Sequence, residues 1–372
     1  MTSTNNPKPR WAIIHPFQLR LQRGIETYVW GLSTALAKSG LDVDILTWDG
    51  PLSVPEEVKD VGVSLVIKPK FQYFEGIFAS IFYAVTLLRN NYDHVFTYFA
   101  GYGEGPALKI VRWFKKQPFS VVFHFPPSLV PHRYAEFRRW QFDRFADHLI
   151  GVSQATANEV ELWSQRKVEV IGHGINIDKF QPSPVLREQI RQELGISQTT
   201  PVLISVAAME KRKGMQWVID AMPELLEHFP DLQYFIVGDG IYRQSLLEQV
   251  SNLNLESHVR FIGFKQDVHP YLCAADVMLV LSKGEASSIS LLEALSCDLP
   301  AITSNKSPFD ELINENIGLK VDEENTPEVV QSILNLLIAP ERRLNLGKAA
   351  RAWVIKHHNW DGVASQYRDL VR

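Results

Sequence analysis

The chain has 372 residues, 45% apolar and 22% charged, with a net charge of -4, so it reads as a globular protein of more than one domain and has no whole-chain basic excess to attract nucleic acid. Its two cysteines, Cys273 and Cys297, form no disulfide framework and show no metal-ligand spacing, which fits a reducing compartment. Met1–Arg10 lacks the apolar core of a signal peptide, and the longest nearly apolar run, Ile77–Leu88, is shorter than the about 20 residues of a membrane span, so a cytoplasmic location is expected.

Trp11–His15 reads as a strand. Ile25, Tyr28, Val29, Leu32 and Leu36 follow at helical spacing, with Gly40 where a helix cap belongs. Asp42–Trp48, Val63–Ile67, His94–Tyr98, Phe119–Phe123 and His148–Val152 continue as strands, with helices predicted near 76–89, 104–115, 134–145 and 154–163. Around Ile177–Pro184 the rhythm breaks, and Pro182 and Pro184 predict a linker. It restarts with strands at Val202–Ala207, Tyr234–Val237, Val259–Ile262, Val277–Leu281 and Pro300–Thr303, and helices near 214–227, 241–253, 288–297 and 326–338. Alternating strands and helices imply parallel sheets covered on both faces. Two such series predict two Rossmann-like, doubly wound α/β domains facing across a cleft, with ligands beyond the carboxyl ends of the strands.

The most informative stretch runs from Ser282 to Pro300 and holds Glu285 and Glu293 with seven residues between them. Ser287 or Ser288 can cap the following helix, whose N-terminus offers free N–H groups and a positive dipole end to phosphate. On a continuous helix the two glutamates would stand roughly 12 Å apart along the axis. Hydrolase carboxylate pairs sit roughly 5–9.5 Å apart, so the spacing favours two separate tasks over an acid/base pair. The plain alternative is a capped surface helix with two solvated glutamates.

This stretch resembles the E-x7-E motif of glycosyltransferase family 4, retaining transferases with the GT-B fold. The resemblance extends over most of the chain and is closer in the second half. It implies that Glu285 lies near the transferred sugar and Glu293 binds the donor ribose. The family has Gly-Phe-Gly where this chain has Ala286-Ser287-Ser288, and glycine where Asp298 stands. Ser205–Gly214 resembles the family's Val-Gly-Arg-Leu-x3-Lys-Gly. Lys213-Gly214 match and Ala208 replaces the arginine, which implies that Lys213, with Arg212 or Lys211 as substitutes for the arginine, holds the donor diphosphate. The turn at Gly238-Asp239-Gly240 resembles the one that lies against the nucleotide base. Arg23-Gly24-Ile25-Glu26 resembles Gly-Gly-x-Glu, implying that Gly24 admits a phosphate or acceptor close to the backbone. His124 matches the family histidine near the reacting sugar. His173-Gly174 resembles the Asn-Gly of the interdomain junction, and Asn359-Trp360 opens a helix that returns to the first domain. The resemblance thus implies an acceptor-side domain over 1–176, completed by 358–372, and a donor domain over 177–357. Read without the resemblance, the Lys211–Lys213 run is a solvated loop, the glycine turns are ordinary βα turns, and His124 is a structural residue.

The Asp-x-Asp pair Asp42-Val-Asp44 opens an ordinary strand, so the site is expected to be metal-free, with no cofactor and with Lys213, Gly24 and the helix start near Ser288 facing the diphosphate. The implied reaction moves a sugar from a nucleotide-sugar donor to a glycan or lipid-linked acceptor. Residues 105–145 carry eight cationic and two acidic side chains interleaved with Phe125, Phe137, Trp140, Phe142 and Phe145, which suits peripheral contact with an anionic lipid surface. A sugar phosphorylase or epimerase on the same fold, and a degenerate transferase that binds without turnover, remain open at this point.

Overall fold

The computed structural model describes residues 8–15, 24–47, 58, 61–67, 75–98, 104–125, 145–285 and 287–372. Internal contacts divide the chain into two units, Met1–Gly174 with Trp360–Arg372, and Ile175–Asn359.

In the first unit, short runs of β-branched and aromatic residues form β1 (Arg10–His15), β2 (Asp42–Thr47), β3 (Val63–Ile67), β4 (His94–Tyr98), β5 (Phe119–Phe123), β6 (His148–Gly151) and β7 (Glu169–Val170). All pair in parallel in the order β3-β2-β1-β4-β5-β6-β7. β4 and β5 are buried along their whole length, as strands covered on both faces must be. The connecting helices are α1 (Gly24–Lys38), α2 (Glu75–Arg89), α3 (Glu104–Lys115) and α4 (Gln154–Ser164). The chain order reverses between β1 and β4, which places the switch point at His15 and Tyr98. Asp44 is structural: it accepts from Arg10 Nη2 and Tyr92 Oη, both at 2.6 Å. The helix expected near 134–145 lies almost wholly outside the described residues.

The first helix of the second unit is α5 (Pro184–Glu193), which follows the Ile177–Pro184 stretch and which no apolar period in the sequence announces. Ser183 caps it by accepting from Leu186 N at 3.3 Å, and Pro184 takes the first turn, where its missing N–H costs nothing. This helix is too polar for an apolar stripe. The fully buried Arg191 anchors it, pairing with Asp276 at 2.9 Å and donating to the carbonyls of Ala274, Ser197, Gln198 and Thr200. There follow β8 (Val202–Val206), α6 (Met215–His228), β9 (Gln233–Val237), α7 (Arg243–Asn252), β10 (Val259–Gly263), α8 (His269–Ala274), β11 (Val277–Val280), α9 (Ile289–Ser296), β12 (Ala301–Ser304), α10 (Phe309–Leu312), β13 (Gly318–Val321), α11 (Thr326–Leu337) and α12 (Pro340–His357). The parallel order is β10-β9-β8-β11-β12-β13. Leu203, Tyr234, Ile236, Val277 and Leu279 feed the core on one face. Val202, Ile204, Phe235, Val237 and Met278 feed the other, as the two-residue strand period requires. The last helix, α13 (Trp360–Leu370), returns to the first unit and packs on α1.

Candidate functional site

In the second unit the chain order reverses between β8 and β11, and a pocket with about 280 Å³ of empty space opens there toward solvent. Ser205, Ala207, Lys213, Glu285, Ser288 and Ser290 line it. Residues that lie far apart in sequence thus converge where strands β8 and β11 end.

Glu285 sits on the loop between β11 and α9, with its side chain 10% exposed. Lys213 Nζ forms an ion pair with Glu285 Oε1, and Arg212 Nη1 lies 3.7 Å from Glu285 Oε2. Arg212 also donates to Glu210 at 2.8 Å and to the Gly284 carbonyl at 2.9 Å, while its own carbonyl accepts from Lys283 N at 2.9 Å. Arg212 therefore ties the Lys211–Lys213 turn to the Glu285 loop. Its guanidinium is committed to those partners, and Ala208 is an exposed residue past the end of β8.

Of the two serines expected to cap α9, Ser288 does so, accepting from Leu291 N at 3.4 Å; Ser287 is half-buried just before it. Glu293 lies in the middle of α9 and is buried. The two glutamates thus stand on different elements, one on a loop and one inside a helix. Burial pushes the Glu293 carboxyl up to about 8, with Lys179 opposing and Asp267 adding to the shift.

Two glycines of the motifs are fixed by close backbone approach. Gly214 has φ +76°, and a Cβ there would stand 1.9 Å from the Leu281 carbonyl oxygen. Gly238 has φ +135°, and a Cβ would stand 2.0 Å from that of Ala207. Asp298, in the family's glycine position, has φ +58°, a left-handed conformation that aspartate tolerates better than most side chains. Gly24 is exposed at the first position of α1, and Arg23 lies outside the described residues.

In the first unit, His124 follows β5 and is buried against Tyr28 and Tyr98, with ring centroids 4.5 and 4.9 Å away. His124 Nδ1 and His173 Nε2 are 3.2 Å apart, so one proton bridges them. Burial, then the neighbours His173 and His15, hold His124 well below the ordinary imidazole range, so it is neutral. The bond to His173 gives no signal in the sequence, where the two residues lie 49 positions apart.

Two parallel doubly wound units define the GT-B class of architecture. Residues 22–179 match the family described as Glycosyltransferase Family 4, and residues 187–353 match Glycosyl transferases group 1. The chain belongs to the glycosyltransferases of the family 4 type. It is 31% identical to N-acetyl-alpha-D-glucosaminyl L-malate synthase of Bacillus anthracis over 49% of this chain and 48% of that protein. It is 29% identical to the GDP-mannose-dependent monoacylated alpha-(1-6)-phosphatidylinositol monomannoside mannosyltransferase of Corynebacterium glutamicum over 61% and 62% of the two chains. The matched part is thus about half to three-fifths of these relatives' length. Among solved structures, Anabaena HepE in complex with UDP and glucose superposes with a TM-score of 0.80 at 19% identity, covering 96% of this chain and 98% of that one.

Proposed function

We propose that the chain transfers a sugar from a nucleoside-diphosphate sugar to a glycan or lipid-linked acceptor, with retention of anomeric configuration and without a metal in the reaction. The observation that carries this reading is the Lys213–Glu285 pair in the switch-point pocket, beside the capped start of α9. Lys213 meets the diphosphate, helped by Ser287, Ser288 and the N–H groups of α9, and Glu285 is freed to face the sugar. Glu293 takes the ribose hydroxyls, Gly238 the base, and Arg212 braces the Glu285 loop. His124 and Gly24 are the candidate residues of the first unit. The bond between C1 and the diphosphate oxygen breaks as the acceptor oxygen bonds to C1 on the same face, and the acceptor proton passes to the departing phosphate. The UDP bound by HepE and the GDP-mannose named for the Corynebacterium relative support the donor class.

A thermal-shift screen of nucleoside diphosphates and their sugars tests the reading. A shift with one diphosphate series, lost in Lys213→Ala, is expected; no shift with any diphosphate sinks it. Proton NMR of the product's anomeric centre tests retention, and equal rates with Mg²⁺, with Mn²⁺ and with neither test the metal-free reaction. Binding without turnover of any acceptor would favour the degenerate binder instead.

The acceptor side adds a lipid surface to this proposal. No described helix is long and apolar enough to cross a membrane. On α3, however, Trp113 is 85% and Phe114 73% exposed, next to exposed Lys115 and Lys116. Ile77, Ile81 and Val85 are exposed at helical spacing on α2, which packs against α3. Apolar side chains rimmed by lysines suit an anionic bilayer interface. Cosedimentation with anionic but not neutral vesicles, weakened in Trp113→Ser/Phe114→Ser, is expected; equal binding to both vesicles argues against it.

A further inference from the structure

The second unit gathers a donor set that no sequence spacing announces. His269 and Cys273 are four residues apart on α8 and so share one helix face. Cys297 is the C-cap of α9. One ring nitrogen of His269 and the two sulfur atoms all lie within 4.8 Å of one another. All three residues are buried, and these are the only cysteines of the chain. The carbonyl of Gln181 meets the same cluster, 2.7 Å from His269 Nε2 and 3.6 Å from Cys273 Sγ.

We propose that His269, Cys273 and Cys297, with a water molecule in the fourth position, bind one Zn²⁺ that staples α8 to the C-terminal end of α9. Two thiolates and an imidazole are the donor types zinc takes in tetrahedral sites. The charges of two thiolates cancel that of the cation, so the buried site is left neutral, and both thiol protons leave to solvent on binding. Glu293, the candidate ribose ligand, lies one turn before Cys297 on the same helix, so the staple would steady the helix that carries it.

The full chain, reduced with a phosphine and stripped of metal, is incubated with zinc sulfate, desalted and assayed by plasma mass spectrometry. One zinc per chain is expected, lost in Cys273→Ser/Cys297→Ser, together with a higher melting temperature for the zinc-loaded wild type. Should the double variant misfold by circular dichroism, cobalt substitution of the wild type decides, since thiolate ligation gives an intense near-ultraviolet charge-transfer band. Zinc no greater than in the folded double variant, a cobalt spectrum without that band, or loss of both thiols to a disulfide without zinc uptake overturns the proposal.

Discussion

Lys213 and Glu285 neutralise each other in a pocket with side-chain exposures of only 14% and 10%. A lysine held by a carboxylate can exchange that partner for a diphosphate at little cost in desolvation, because it is already removed from bulk water. Lys213→Ala should therefore lower kcat/KM for the donor by about a hundredfold or more, since each 1.4 kcal/mol of lost transition-state stabilisation is about tenfold in rate. The fold should persist, because Arg212 remains beside Glu285. Steady-state kinetics with far-ultraviolet circular dichroism as control checks this; wild-type kinetics would place the diphosphate elsewhere. Glu293 gives the second prediction at this scale. Its carboxyl titrates at about 8 in the folded chain and near 4.5 otherwise, so the folded state holds a proton that the unfolded state has released. Stability therefore falls as pH rises through that window and levels off above it. Glu293→Gln should remove this slope, gaining on the order of a few kcal/mol over the wild type at about pH 9. Urea unfolding of zinc-free protein across pH measures it; parallel pH profiles for the two proteins would show that Glu293 does not titrate this way.

At the scale of elements, the strands and the helices of the βα rhythm were legible because burial on two faces demands apolar runs, and those runs are visible in sequence. α5 was not, because it is held by Arg187 and Arg191 on Asp276 rather than by an apolar stripe; the Ser183-Pro184 start was its one local signal. β13 is four residues long and buries only its two ends, Gly318 and Val321, and α12 buries only Leu346, Gly347, Ala350 and Val354 of its eighteen, so neither shows a strong period. The site divides in the same way. Glu285, Ser288 and Lys213 were found by motif and do share one pocket, whereas the His124–His173 bond and the grip of Arg212 on the Glu285 loop are tertiary and leave no local pattern. The glycines mark where elements meet. Gly238 ends β9 against the Ala207 carbonyl, at a φ that a side chain rarely adopts. Gly238→Ala should thus combine backbone strain with a steric clash, costing about 1–3 kcal/mol for the strain alone. A lowered urea midpoint with an unchanged slope is expected; an unchanged midpoint would mean the turn relaxes freely.

At the scale of the whole molecule, the first unit is closed by a segment that arrives after the entire second unit has been made. The indole of Trp360 fills the space left by two glycines: a Cβ on Gly31 would stand 2.1 Å from it, and one on Gly174 2.4 Å. Further along α13, Tyr367 is fully buried, its hydroxyl bonded to that of Tyr28 and its ring edge-on to Phe96 at 5.1 Å. Arg368 completes the seam by donating to the Ser39 carbonyl at 3.1 Å. Because Tyr28 also packs on His124, the C-terminal helix supports the wall of the candidate site in this unit. The second unit has its own two core clusters, to which no residue of α13 contributes. Trp360→Ala should therefore destabilise one unit alone, by about 3 kcal/mol, the lower end for a large aromatic truncation because the indole is only part-buried. Hydrogen exchange resolves the two units separately. Amides of β1 and β4 should exchange faster by roughly a hundredfold, since each 1.4 kcal/mol is about tenfold in an opening equilibrium. Those of β8 and β11 should keep their protection. Equal acceleration in both units would mean that they unfold as one cooperative body, and no acceleration in either would mean that α13 is a passive cover rather than part of the first unit's core.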